Sequence, residues 1–396
     1  MSFRLLSSVV TLGLVSLFSG CSAGDATNPG GSTGAGASGG AGGGSGGTAG
    51  TSADAGSGGA AAGTAGTGGS AEAGTGGTTG GSGGSAGGDT GGSGGGAPRP
   101  VVPTESGGIY TWTYGDVVFA VNSMVAGRVI TYTKGGVSIL DATMPDPSNY
   151  GSTFWVSPQT WPWPPEAAMD SAPYTATLEG ATLVLQGPPM TNPKVSIGKR
   201  FSVDETCDCV KIVYSIKNES TEALKVAPWE ITRVDGGGIT FFPAPSAPHK
   251  TEGDMVVTYD AANQITWFDH ATQAKDGNQK IYQDGTTWVA HAQAPAQGPL
   301  LLVKTFEDVP ASGQVPEPPR AEGQIEIYTN GRDVPAGAAY VEVENQGEYV
   351  ELAAGESLTY PVKWYLRTIP STVTVASGDM SLVTFAAGVA SDTGAP

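Results

Sequence analysis

The sequence predicts an all-β protein, a large antiparallel β-sandwich, carried behind a disordered tether of Gly, Ala, Ser and Thr. From Ile109 onward, short runs rich in Val, Ile, Thr, Tyr and Trp are broken by Gly, Asn, Asp or Pro about every ten residues, the spacing of strands and turns. Several runs alternate, as in Val210-Lys211-Ile212-Val213-Tyr214-Ser215-Ile216-Lys217, so that one face of the strand is apolar. No segment keeps a helical apolar period for three turns, and only a short piece near Pro165–Asp170 is a helical candidate. More than a dozen strands in one chain must split into packed sheets.

In chain order, Met1–Gly20 carries one charge, Arg4, then the apolar run Leu5–Phe18 and the tripeptide Ser19-Gly20-Cys21. The run is too short to span a bilayer and sits where the apolar part of a secretory signal belongs. Small residues before a cysteine resemble the lipobox of bacterial lipoproteins, which implies a signal peptide over residues 1–20 and lipidation of Cys21. A plain cleaved signal peptide is the alternative. Ser22 implies export to the outer membrane, so the expected location is the cell envelope, as an outer-membrane lipoprotein or a secreted protein, touching membrane only through the anchor at Cys21.

Residues 21–99 are expected to be the tether. The glycines concentrate in Gly24–Pro98, a block without the apolar side chains needed to offset its backbone entropy. Its GxGxxG-like matches follow no strand and include no GxxxxGK[ST], so they say nothing of nucleotides. Glycine does not fall on every third position, which excludes collagen.

Residues 100–396 are expected to form a single β-sandwich domain. Setting aside Arg4 and the tether acids Asp25, Asp54, Glu72 and Asp89, the chain's 19 basic and 37 acidic residues become 18 and 33, a net charge of −15. Such a balance disfavours nucleic acid and anionic membranes as partners. The candidate strands are Gly108–Tyr114, Val117–Asn122, Gly127–Lys134, Gly136–Leu140, Tyr174–Glu179, Thr182–Gln186, Lys194–Val203, Cys209–Asn218, Lys225–Val234, Met255–Tyr259, Ile265–Asp269, Thr287–Ala292, Leu300–Phe306, Gln324–Thr329, Tyr340–Gln346, Tyr349–Ala353, Ser357–Thr368 and Ser381–Ala386. Between them, Glu179-Gly180-Ala181 and Lys134-Gly135-Gly136 read as hairpin turns. Pro243–Asp254 and Val309–Gly323 read as long loops of the kind that often carry function.

Asn149–Tyr174 sets Trp155, Trp161 and Trp163 among Pro158, Pro162, Pro164 and Pro165. Proline lacks a backbone donor, so the stretch reads as a stiff loop and not as a helix or an ordinary strand. Three rings on such a loop can stack on a sugar, or they can cap the end of the sandwich core. Cys207 and Cys209 are expected on one face of a strand start, as two thiols or a strained disulfide. The three histidines, His249, His270 and His291, fit no metal-binding spacing, and nothing in the chain implies a metal or a cofactor.

Three segments together resemble the galactose-mutarotase-like superfamily, and within it an uncharacterised bacterial domain family. They are AGRVITYTKGGVSIL (Ala126–Leu140), the pair NYGSTFW…SPQ…WPPEAAMDSAPY and VAPWEITRVDGGG (Val226–Gly238), and VEVENQGEYVELAAGESLTYPVKWYL (Val341–Leu366). The resemblance implies a β-supersandwich with a sugar-sized groove on a concave face. Mutarotases carry a Glu-Thr-Gln element and a Pro-Gly-Glu turn, which here read Glu344-Asn345-Gln346 and Ala354-Gly355-Glu356, so the carry-over assigns the catalytic base to Glu344. The family's acid is a histidine in the segment matching Val226–Thr232, where this chain reads Ala227-Pro228-Trp229-Glu230. The Asn-Arg and His-Gly elements are missing too. Glu230 could supply a second carboxyl, although neighbours on a strand point to opposite faces, so Trp229 and Glu230 cannot both line the groove.

The expectation is therefore a surface-tethered carbohydrate-binding lipoprotein. Trp155, Trp161, Trp163 and Trp229 serve as platforms, and Arg233, Lys304, Asn345 and Glu344 as polar contacts, on a mono- or polysaccharide. The alternatives are a sugar-active enzyme, epimerase-like or glycan-cleaving, that uses Glu344 as base, and a non-catalytic envelope or adhesion protein.

Overall fold

The computed structural model describes residues 100–141, 149–293, 299–316, 322–332, 334 and 338–391. The expected signal peptide, Cys21 and the tether lie outside the described residues.

Among the described residues the strands assemble into two antiparallel sheets, one of eleven strands and one of twelve. The eleven-stranded sheet runs through the neighbours Val195–Asp204, Cys209–Asn218, Ser357–Thr368, Leu300–Thr305, Trp288–Gln293 and Ile239–Pro243. The twelve-stranded sheet runs through Gln279–Gln283, Ile325–Thr329, Tyr340–Gln346, Leu224–Asp235, Ser152–Ser157 and Arg128–Lys134. The chain thus has the fold class its alternation predicts: all-β, antiparallel, in two large sheets.

The tryptophan stretch departs from expectation. Ser152–Ser157 is a central strand, and the prolines that argue against a strand begin only at Pro158. Gly151 lets it enter the sheet: its φ is +61°, and a Cβ there would collide with the carbonyl of Val129 on the next strand. Ile239–Pro243 and Gln279–Gln283 are further strands the sequence reading passed over.

Ser381–Ala386, expected as a strand, lies in a helix, Met380–Ala390. Asp379 caps it by accepting from the Ser381 amide at 2.8 Å. Leu382, Ala386 and Val389 are buried at a spacing of three to four residues, and they close a second core with Phe241, Trp267, Leu301 and Val303 on the outer face of the eleven-stranded sheet. The short helix near Pro165–Asp170 is present as Ala167–Asp170.

Between the sheets lies the main core. Phe154 stacks on Tyr214 across the gap at 4.1 Å, and the Tyr132 hydroxyl donates to the Trp364 carbonyl at 3.3 Å. A polar seam runs through this interior. Glu230 accepts from the Tyr214 hydroxyl at 2.6 Å and pairs with Lys304 at 2.9 Å.

Lys199 belongs to the same interior, its Nζ donating to the Gly127 carbonyl at 3.3 Å. Burial, with the nearby Arg128, depresses its ammonium from 10.5 to about 7, against the opposing pull of Asp170 and Glu230. A lysine depressed on folding binds fewer protons folded than unfolded, so stability rises with pH between about 7 and the unfolded value near 10.4. In denaturant titrations over this window, Lys199→Met is expected to remove up to ~1.4 kcal/mol per pH unit of that slope. An unchanged slope would refute the assignment.

Candidate functional site

Alternation along the twelve-stranded sheet sorts its side chains between the core and the opposite, outer face. On Leu224–Asp235 the outer residues are Trp229, Ile231 and Arg233, and on Tyr340–Gln346 they are Glu342, Glu344 and Gln346, held in register by the pairs Trp229↔Gln346, Ile231↔Glu344 and Arg233↔Glu342. Trp155 joins them opposite Trp229, and Glu326 opposite Glu344. Pairing between strands far apart in sequence thus brings the early tryptophans and the late glutamate onto one face.

Trp155 is the hub of the indoles. Trp161, Trp163 and Trp229 meet it edge to face at 5.5, 5.7 and 5.4 Å between ring centroids. The loop after Pro158 is pinned over this face by Trp161, whose Nε1 donates to the Val156 carbonyl at 2.9 Å. Trp155 Nε1 donates to Asp170 Oδ1 at 2.9 Å, and Asp170 Oδ2 pairs with Arg128 at 2.9 Å. Arg233 pairs with Glu342 at 2.8 Å, its guanidinium 5.5 Å from the Trp155 ring. Trp155 is fully buried and Trp161 and Trp229 are 4 % exposed, whereas Trp163 keeps part of its surface in solvent. Trp155, Trp161 and Trp229 are thus packed side chains on the outer face of the sheet.

Glu344, fully buried, accepts hydrogen bonds on Oε2 from Trp229 Nε1 at 2.6 Å and from the Lys280 ammonium at 3.0 Å. Its other oxygen, Oε1, has no hydrogen-bond partner. Lys280 also forms an ion pair with Glu326 Oε2 at 2.6 Å and lies 4.8 Å from the Trp229 ring centre. Gln346 ties Glu326 to Glu322 through Nε2, at 2.7 and 2.9 Å, and Glu322 accepts from the Ser157 hydroxyl. Burial raises the Glu344 carboxyl above the usual glutamate range, opposed by Lys280, and raises Glu326 well above it. The arrangement is two carboxyls sharing one ammonium, with a spare oxygen that can accept a hydroxyl or exchange a proton.

Two expected contacts are elsewhere. Lys304 and Asn345 occupy the inner side of the sheet: Lys304 pairs with Glu230, and Asn345 donates to the Tyr360 hydroxyl at 2.7 Å. Asn345 follows Glu344 on a strand and so must point the other way. Glu230 is interior for the same reason, on the opposite side from Trp229. His291 lies in the eleven-stranded sheet, its Nδ1 2.9 Å from the Thr240 hydroxyl, and His270 opens the short 3-10 turn His270–Thr272 that follows the strand Ile265–Asp269. Among the described residues no cluster of three or more His, Cys, Asp or Glu is arranged to hold a metal ion.

Lys280 and Glu326 escaped the sequence reading. Glu326 and Tyr328 alternate with Ile325 and Ile327, which marks a strand with two unlike faces but does not say that the polar one is buried. Lys280 lies in Gln279–Gln283, a strand too short and polar to show a period of two in the sequence.

No protein-family model matches this chain, and no curated protein matches it. Similar solved structures include a TPR-domain-containing protein from Parabacteroides distasonis (12 % identity, TM-score 0.45), with 68 % of this chain aligned to 48 % of that one, so this chain spans about half its length. A putative aldose 1-epimerase from Escherichia coli K12 shares 12 % identity at TM-score 0.45, over 66 % of this chain and 99 % of its own. A galactose mutarotase-like protein from Lactobacillus casei shares 9 % identity at TM-score 0.47, over 66 % of this chain and 100 % of its own.

Proposed function

We propose that the outer face of the twelve-stranded sheet is a saccharide site and that the protein is a surface-tethered carbohydrate-binding lipoprotein, anchored at Cys21 through the tether over residues 21–99. The observation that carries the reading is Glu344 Oε1, a carboxylate oxygen buried without a partner beside the Trp229 indole and the Lys280 ammonium. Leaving such an oxygen unsatisfied is costly, and a buried orphan of this kind calls for a role. A sugar hydroxyl would satisfy it while the sugar's carbon face packs on an indole. Trp163 lies where the cluster meets solvent, and Lys250 and Glu252 on the flanking strand are also partly exposed.

Glu344 is fully buried, so a ligand must displace side chains to reach it, and the Trp229 indole bonded to Glu344 moves with them. Tryptophan emission is therefore the readout. Titration of the full-length protein with a panel of neutral and acidic saccharides is expected to change that emission and to give a matching calorimetric signal. Glu344→Gln, which keeps the volume and loses the charge, is expected to weaken binding at least tenfold, about 1.4 kcal/mol. Silence across the panel would sink the reading.

The Glu344–Lys280–Glu326 cluster favours a second reading, a sugar-active enzyme in which Glu344 is the base, because paired carboxyls in unlike environments are what acid–base chemistry uses. Turnover of a saccharide lost in Glu344→Gln with binding retained would select it over pure binding.

A further inference from the structure

We propose that the Cys207–Cys209 disulfide is an exchange-active redox centre, at which an external dithiol passes two electrons to the domain and from which the reduced pair passes them on to another disulfide. The inference is independent of the saccharide site.

The bridge joins residues only two apart in sequence, across the turn before Cys209–Asn218. There is little there for it to hold. The two strands flanking the turn are already paired from Val195↔Asn218 to Asp204↔Cys209, and Asp204 takes the Thr206 amide at 2.9 Å and the Lys211 ammonium at 2.8 Å. A cross-link stabilises mainly by shortening the loops of the unfolded chain, and this one closes almost the shortest loop possible.

The surroundings suit exchange. Cys209 is fully buried against the second core, whereas Cys207, packed at its edge, is half-buried next to the exposed Glu205 and Thr206, so the side open to an incoming thiolate is that of Cys207. Arg367 clamps the turn: Nη2 donates to the Cys207 carbonyl at 3.1 Å, and Nη1 donates to the Asp208 carbonyl at 2.9 Å and pairs with its carboxylate at 2.8 Å. The guanidinium beside Cys207 favours a thiolate there once the pair is reduced, against the opposing carboxylates of Asp208, with which it is paired, and of the neighbouring Asp204 and Glu205. The residue between the cysteines, Asp208, sits at φ +48°, a left-handed conformation that a non-glycine residue adopts at a cost.

The chemistry is ordinary thiol–disulfide exchange. A thiolate of the dithiol attacks Cys207 Sγ, the Cys207–Cys209 bond breaks, and its electron pair leaves on Cys209 Sγ, which takes a proton. The second thiol of the reductant then attacks its own sulfur in the mixed disulfide and releases the Cys207 thiolate. The dithiol is oxidised to a disulfide, and the protein's disulfide is reduced to two thiols.

The test uses the full-length protein in native buffer with dithiothreitol, followed by acid quench, maleimide labelling and tryptic digestion. The peptide Phe201–Lys211 carries both cysteines and excludes Cys21. It is expected to take up two maleimides when the reduced protein is quenched and labelled, and none when the reduced protein is first incubated with excess oxidised glutathione, with circular dichroism and Tm unchanged in both states. In insulin reduction by dithiothreitol the protein is expected to shorten the lag at least twofold, and Cys207→Ser is expected to abolish the effect. For the positioning residue, Arg367→Gln is expected to move the pH midpoint of Cys207 alkylation upward in the reduced protein. A peptide that stays unlabelled under native conditions, one labelled only as the fold is lost, or an insulin lag unaffected by the protein would each overturn the proposal.

Discussion

Replacing Lys304 with alanine is expected to cost about 3–5 kcal/mol, a large part of the ~5–15 kcal/mol that holds a typical domain folded. Lys304 and Glu230 have no exposed side-chain surface and pair at 2.9 Å between the sheets. The ammonium also donates to the Thr232 hydroxyl at 2.9 Å and to the Val343 carbonyl at 3.0 Å, which ties the eleven-stranded sheet to the twelve-stranded one. Its removal leaves the Glu230 carboxylate in a dry interior with only the Tyr214 hydroxyl and the Trp364 indole, 2.6 and 3.3 Å away. Denaturant midpoints measure the loss. The double variant Glu230→Gln, Lys304→Met is expected to lose less than the two single variants summed, because the charge that would be stranded is gone. Saccharide affinity per folded molecule is expected to survive in the double variant, since both side chains lie on the inner side of the twelve-stranded sheet and Glu344 on its outer side. A loss of affinity equal to that of Glu344→Gln would return Lys304 to the site.

Trp155→Ala is expected to be about as costly, at about 3–5 kcal/mol. The ring is fully buried, three other indoles pack on it edge to face, and its Nε1 is a hydrogen-bond donor to Asp170, which also holds Arg128. The substitution opens a cavity and strips a buried carboxylate of one donor at once. Trp163→Ala removes a ring at the solvent margin and is expected to cost about 1 kcal/mol or less. Thermal melts of the two variants separate scaffold from platform. If Trp155→Ala melted with the parent, the indole cluster would not be part of the core.

Much of the fold could be read directly from the chain. The period of two in Val210–Lys217 and in Ser357–Thr368 reflects one strand face turned inward, and the structure pairs these segments residue for residue. Reading failed where a local rule was spread too widely. The prolines from Pro158 onward do exclude a strand, but Ser152–Ser157 precedes them. Met380–Ala390 is short enough that its apolar run can be read with either period, and the Asp379 cap was the cue that distinguished them.

The sequence by itself determined an antiparallel all-β chain behind a segment too poor in apolar side chains to make a core, and it singled out Glu344 and the tryptophans as residues to follow. Only the tertiary structure decided that they share a face, because the pairing that sets Tyr340–Gln346 beside Leu224–Asp235, and that in turn beside Ser152–Ser157, is non-local and leaves no mark in any one segment. It also decided which polar residues of a strand meet the outer face and which meet the core. Alternation fixes that Glu344 and Asn345 diverge, but which side of the strand faces the other sheet depends on what packs against it.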